Sequence, residues 1–183
     1  MASAGPQIGG MKPGDHPEFF RFPAPEGASR ESTIRLDGEG RFFHEGNPVE
    51  HPKLAAAMHT WIRRHPDDGR FILSNGYDWT YFTVEDAPFF VLRVDLDGPG
   101  AWLELSDGTR EEWDPARTFP GKGGALYTDV KAKAEGGPFR ARFTRHAQTS
   151  LAPVLVEGPG GVGVSLGGRV VQLGRGEEGS SAG

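Results

Sequence analysis

Four cations flank a glycine pair in the C-terminal half of the chain: Lys131 and Lys133 before Gly136-Gly137, Arg140 and Arg142 after it. A two-residue loop at the glycines fixes how the flanking strands pair. Lys133 then faces Arg140, Lys131 faces Arg142, and Val130 faces Phe143. One side of the ribbon is apolar, with Val130, Ala132, Ala134, Phe139, Ala141 and Phe143. The other carries the four cations. Like charges directly opposite cost roughly a few tenths of a kcal/mol per pair. This face is therefore a candidate site for a phosphate, a carboxylate or an acidic surface. The alternative is a solvated strand face whose basic side chains splay into water and blunt an edge. With the repulsion relieved, changing Lys131 and Arg142 to Gln should leave thermal stability unchanged or slightly raised.

A second hairpin turns at Asp107-Gly108. A two-residue loop there sets Glu104 against Glu111 and Trp102 against Trp113, an aromatic staple beside paired carboxylates. Glu104 and Glu111 are also candidates to neutralise Lys131 and Lys133 within the fold, which would remove both sites. Tyr77, Trp79 and Tyr81 are candidates for a groove wall, with core packing as the competing use. Glu85 and Asp86 sit in a turn after an alternating strand, where turn chemistry accounts for the aspartate. None of the six histidines forms a metal-binding helical pair, and Cys is absent. No metal or cofactor is expected. Gly158 to Gly168 lacks the Gly-Lys-Ser/Thr ending of a phosphate loop and reads as glycine-rich strands. No Gly-x-Ser-x-Gly elbow is present.

These residues need a scaffold. Ile34 and Leu36 alternate with polar neighbours, turn at Gly38-Glu39-Gly40 and return through Arg41 to Glu45, a hairpin. Pro52 suits a first helical turn, and Leu54, Ala57, Met58, Trp61 and Ile62 keep helical spacing, predicting one helix over 52–65. Strands follow from Arg70 to Ser74, Trp79 to Val84 and Pro88 to Asp97, with Phe90, Leu92, Val94 and Leu96 on one face. Further strands are expected around 101–106, 126–133, 139–144 and, as two or three closing strands, 151–173. The fold class is α+β: mainly antiparallel strands in two small β-rich halves, residues 18–97 and 98–174, with element order hinting at a repeat. Residues 1–17 and 175–183 read as disordered tails.

Composition narrows the function. The 183 residues are 36% hydrophobic with 12 Phe and 4 Trp, enough for a core, and carry 28 Gly and 15 Pro. The start has no apolar run of a secretory signal, and nothing approaches a membrane span, so the expected location is the cytoplasm. Net charge is −5, which disfavours nucleic acid. The charge is uneven: Glu18 to Asp107 holds 16 acids against 9 bases, and Thr109 to Arg145 holds 5 against 8.

The segment Arg70 to Phe90, and within it Val84-Glu-Asp-Ala-Pro-Phe89, resembles an uncharacterised bacterial family, the domain of unknown function 1285. His44 to Leu54 and Pro138 to Arg145 are similar to its helix entry and late strand. The resemblance covers roughly 30–157; the aromatic stretch Asn75 to Trp79 and the glycine-rich extension after Glu157 depart from it. It implies an α+β fold with repeated motifs and a signalling or ligand-binding role without an established activity, and it transfers no catalytic residue. Glu85, Asp86 and Phe89 stand only at family-like positions. The leading reading is a non-catalytic ligand-binding or regulatory module, using the groove between the halves or the basic face. One alternative is a hydrolase pairing a carboxylate with a histidine, such as Asp86 with His59 or His146. Another is a structural protein that adds strands 161–173 to a partner's sheet.

Overall fold

The computed structural model describes residues 11–176. The expected tails at 1–10 and 177–183 lie outside the described residues. Residues 11–17 are part of the fold, because Pro13–Asp15 forms a 3-10 turn and the Gly14 N–H donates to the Gly76 carbonyl at 2.8 Å. A Cβ on Gly14 would stand 2.9 Å from Gly76 Cα, so glycine permits this approach.

The first hairpin forms as expected. Strands β1 (Arg35–Leu36) and β2 (Phe42–His44) pair antiparallel, with Leu36 opposite Phe42. Asp37 holds the turn, its carboxylate accepting the Glu39 and Arg41 N–H groups and Arg41 Nε. Burial pushes the Asp37 pKa up, but these hydrogen bonds outweigh it and the net shift is downward. Strand β3 (Asn47–Pro48) follows. Helix α1 (Pro52–Thr60) starts at the proline, with His51 Nδ1 accepting the Leu54 N–H. It stops short of the expected residue 65: Ile62–Arg64 is strand β4, with Ile62 opposite Leu73 of β5 (Phe71–Ser74). Ile62 is buried on either geometry, and the cross-strand ladder overrides its helical spacing. Strand β6 (Trp79–Tyr81) completes this three-stranded sheet, and β7 (Thr83–Val84) runs parallel to β1.

The largest sheet has six strands: β8 (Phe89–Asp95), β9 (Trp102–Leu105), β10 (Arg110–Glu112), β11 (Thr118–Pro120), β12 (Leu126–Val130) and β13 (Phe139–Phe143). Their order is β10-β9-β8-β13-β12-β11, with β8 and β13 parallel at the centre. The sequence boundary at 97/98 falls in the β8–β9 hairpin, inside this sheet. A bulge between Val91 and Arg93 breaks the expected alternation, burying Val91 and leaving Leu92 42% exposed. Helix α2 (Arg145–Ser150), absent from the sequence reading, is capped by Thr144 Oγ1. Strands β14 (Leu155–Gly158), β15 (Gly161–Leu166) and β16 (Arg169–Gln172) close the chain as a meander. Within 161–173, β15 is paired on both sides, while β16 pairs with β15 and lies at the edge of this meander. One core, from Leu36 through Phe89, Leu105 and Phe143 to Val164, joins these elements into an α+β fold. Among the described residues no helix is long and apolar enough to cross a membrane.

Both sequence-derived hairpin registers need correction. Val130 faces Phe139, and residues 131–138 form the loop. The slip is by an even number of positions, so Phe139, Ala141 and Phe143 keep the buried side. Lys131, at φ 54, starts the turn rather than continuing the strand. In this loop a Cβ on Gly137 would collide with the Lys131 carbonyl. Gly137→Ala is expected to cost about 2 kcal/mol in a urea melt, as backbone overpacking does. At Asp107-Gly108 the loop has three residues, closed by Gly108 at φ 79, and Glu104 faces Arg110. That one-residue slip separates the tryptophans: Trp113 is buried, while Trp102 is 38% exposed.

Candidate functional site

The corrected registers disperse the basic face. Lys131 Nζ pairs with Asp107 Oδ2 at 2.6 Å and donates to Thr109 Oγ1 at 2.9 Å. Lys131 N–H is held by the Glu111 carboxylate. Lys133 lies exposed in the 131–138 loop. Arg140 is opposite Asp129 in the ladder, with its guanidinium over the Phe119 ring at 4.9 Å. Arg142 pairs with Asp86. Four unpaired cations on one ribbon face do not exist, because the acids of the neighbouring hairpin and turn reach two of them.

Arg142 nevertheless sits at a site. Its Nη1 donates to the Gly38 carbonyl at 2.8 Å and to Asp86 Oδ2 at 3.0 Å, joining the first hairpin turn to the large sheet. Asp86 also accepts the Tyr127 hydroxyl at 2.8 Å; burial first, then this carboxylate, raises the Tyr127 pKa. Arg142 lines a groove of about 450 Å³ whose apolar side is Phe90, Phe143 and Leu155. The polar side is Arg142, Thr144, Arg145, Gln148 and Thr149, with Glu39 on the opposite turn. Gln148 fixes the remaining wall, accepting the Leu126 N–H and donating to the Gly124 carbonyl. Among the described residues only Nη1 of Arg142 is engaged, and exposed Arg145 has no ion pair. The groove can take a small anion with an apolar body.

The other sequence-derived candidates scatter. Glu85 is spent on Arg35 at 2.6 Å. Tyr81 donates to Asp68 and lies under Arg70; burial, then that bond, pushes its pKa to about 12. Tyr77 is 64% exposed, and Trp79 is buried against Phe19, Phe20 and Ile72. None of the three lines the groove; Trp79 lines a separate cavity. Asp86 serves Arg142 and Tyr127 rather than a histidine. His146 is exposed, and the ion contact that brings a histidine to a carboxylate among the described residues is His65–Asp68 at 3.7 Å.

The missed groove residues, Gly38, Gly123, Gly124, Gln148 and Thr149, come from separate segments. The one sequence signal available was Thr144 as a helix cap three residues before buried Ala147.

A second polar cluster lies where α1 meets the large sheet. His59, Asp107 and Lys131 line a cavity of about 120 Å³ with Glu135 and Phe139. Nδ1 of His59 is buried without a partner among the described residues, and burial holds its pKa below the usual histidine value despite the Gly40 carbonyl and Asp107. A depressed folded pKa means the neutral ring stabilises the fold above the unfolded value of about 6.5. That contribution is lost as pH falls from there through the folded value. Melting temperature should therefore decline between pH 7 and 5, and His59→Gln should flatten this part of the profile.

No family model and no curated protein matches the chain. Two crystal structures share its fold. A DUF1285 family protein from Silicibacter pomeroyi DSS-3 is 19% identical, with a TM-score of 0.61 over 84% of this chain and 91% of that one. A DUF1285 family protein from Shewanella baltica OS155 is 16% identical, with a TM-score of 0.52 over 68% and 94%.

Proposed function

We propose that this chain, built on the fold of DUF1285 family proteins, is a non-catalytic ligand-binding module with a regulatory role in the cytoplasm. Its ligand is a small anion held in the groove between the Asp37–Gly40 turn and the Thr144–Ala152 segment. One observation carries the reading: Arg142 spends Nη1 on tying the two walls together, and Arg142 and Arg145 both line a cavity of about 450 Å³. A guanidinium fixed at one nitrogen is pre-organised, so less entropy is lost when an oxyanion docks. Phe90, Phe143 and Leu155 supply the apolar surface on which a ligand body would rest. The regulatory role follows from the same contact, since a ligand on Arg142 acts on the link between hairpin and sheet.

A thermal-shift screen with inorganic phosphate, pyrophosphate, succinate and glucose 6-phosphate, against glucose as the uncharged control, tests this. At least one anion should raise the melting temperature, and Arg145→Glu, an exposed change, should remove the rise. An identical rise in Arg145→Glu would assign it to general salt stabilisation, and the groove would lose its role.

A further inference from the structure

Another cavity, sharing no lining residue with the groove, opens between α1, the first hairpin and the β4-β5-β6 sheet. Its volume is about 300 Å³, at the small end for molecular binding sites. Leu54 and Met58 of the helix, with Trp61 just past its end, line the cavity together with Ile34 and Val49, and Leu73 and Trp79 supply the sheet side. Leu54 is 44% exposed, an apolar side chain left in water beside an apolar cavity. Polar groups are few: His44, Asn75, Asp78 and Thr80.

The chemistry of these groups selects a ligand. Thr80 Oγ1 donates to the Arg30 carbonyl, and Asn75 Oδ1 accepts the Tyr77 and Asp78 N–H groups. Asp78 Oδ1 takes the Trp79 N–H and Arg30 Nη1, whereas Oδ2 has no partner among the described residues. The Asp78 side chain is 69% exposed. No lysine or arginine lines the cavity, Arg30 reaching it only through Asp78 Oδ1, and the one charged carboxylate or ammonium group in the lining is Asp78. An ammonium would take Oδ2 and leave Oδ1 to Arg30. Tryptophan faces favour cations, as Trp79 does with the Arg30 guanidinium at 4.4 Å. The surrounding chain from Glu18 to Asp107, with 16 acids against 9 bases, biases the local potential the same way.

We infer that this cavity binds a small aryl- or alkyl-amine, its apolar body among Leu54, Met58, Trp61 and Leu73 and its ammonium on Asp78. The inference is independent of the groove and has the opposite charge preference.

Tryptophan fluorescence of the full chain reads the event, since Trp61 and Trp79 line the cavity. Phenethylamine, 3-phenylpropan-1-ol and 3-phenylpropanoate are titrated in parallel. Phenethylamine should bind about tenfold more tightly than the alcohol, and the carboxylate most weakly. Asp78→Asn should bring the amine level with the alcohol. Leu54→Lys, at an exposed helical position, should weaken both, and Arg145→Glu should change neither. The inference is overturned if the carboxylate equals or exceeds the amine, if Leu54→Lys leaves affinity intact, or if no probe saturates below about 10 mM. It is equally overturned if sedimentation shows a dimer that Leu54→Lys dissociates, since a second copy would then be the occupant.

Discussion

Replacing Lys131 by glutamine is expected to lower stability by about 3 kcal/mol, because it strands a carboxylate with little access to water. Asp107 is 9% exposed and Lys131 17%, and their contact is 2.6 Å. For a chain of this length the loss is about 6–12 °C in melting temperature. The sign is opposite to that expected from a repulsive basic ribbon. Asp107→Asn alone should also destabilise, and the double change Lys131→Gln with Asp107→Asn should recover much of the loss, as coupled partners do. The pH dependence has a defined sign. Burial raises the Asp107 pKa, but hydrogen bonds from Lys131 and Thr109 outweigh it and the folded value is depressed. Its contribution is therefore present above the unfolded value of about 3.9 and lost as pH falls through the folded one. Without Lys131 burial dominates and lifts the Asp107 pKa above the unfolded value, so the gap between wild type and Lys131→Gln should narrow as pH falls from there toward the depressed wild-type value. Thermal melts from pH 3 to 7 decide this; a gap that stays constant would mean the pair adds nothing specific.

Arg142→Ala should have the largest effect on binding. It removes the donors offered to the ligand and also the bond from the large sheet to Gly38. Truncating one partner of a hydrogen-bonded charge pair costs several kcal/mol, so the affinity of any anion that stabilises the wild type should fall at least about a hundredfold. Asp86 keeps its bond from Tyr127 and is 30% exposed, so the loss of stability should be small by comparison. Arg142→Lys separates charge from geometry. An ammonium gathers its three donors at one nitrogen and lacks the second arm of the guanidinium fork, so lysine should rescue stability better than binding. Equal rescue of both would mean that Arg142 only braces the turn.

The local elements were largely legible in the sequence, and the long-range ones were not. Alternation around Leu36 and Phe42, and Pro52 after a capping His51, specify the first hairpin and the helix start through contacts a few residues apart. The helix end was not legible, because Ile62 satisfies both a helical stripe and a strand, and only its partner Leu73 decides. The two turns failed for a related reason. Asp-Gly fits a two-residue and a three-residue loop alike, since both need a left-handed glycine, yet the choice changes every opposing pair. Gly136-Gly137 is a good turn by itself, but Lys131 leaves the strand where the Glu111 carboxylate takes its N–H, a contact twenty residues away in sequence. The acids that cancel the basic face, Asp107 and Asp86, were visible as residues and invisible as neighbours. Groove formation is of the same kind: Gly38 and Arg142 meet across 104 positions.

The most direct test of the groove is a titration of the labelled full chain with inorganic pyrophosphate, followed by amide chemical shifts. Saturable changes should gather at Gly38–Glu39, Gly123–Gly124 and 142–149, and vanish in Arg145→Glu. Changes centred instead on Lys133 and the 131–138 loop, or none under saturating probe, would contradict an anion site between the first turn and the large sheet.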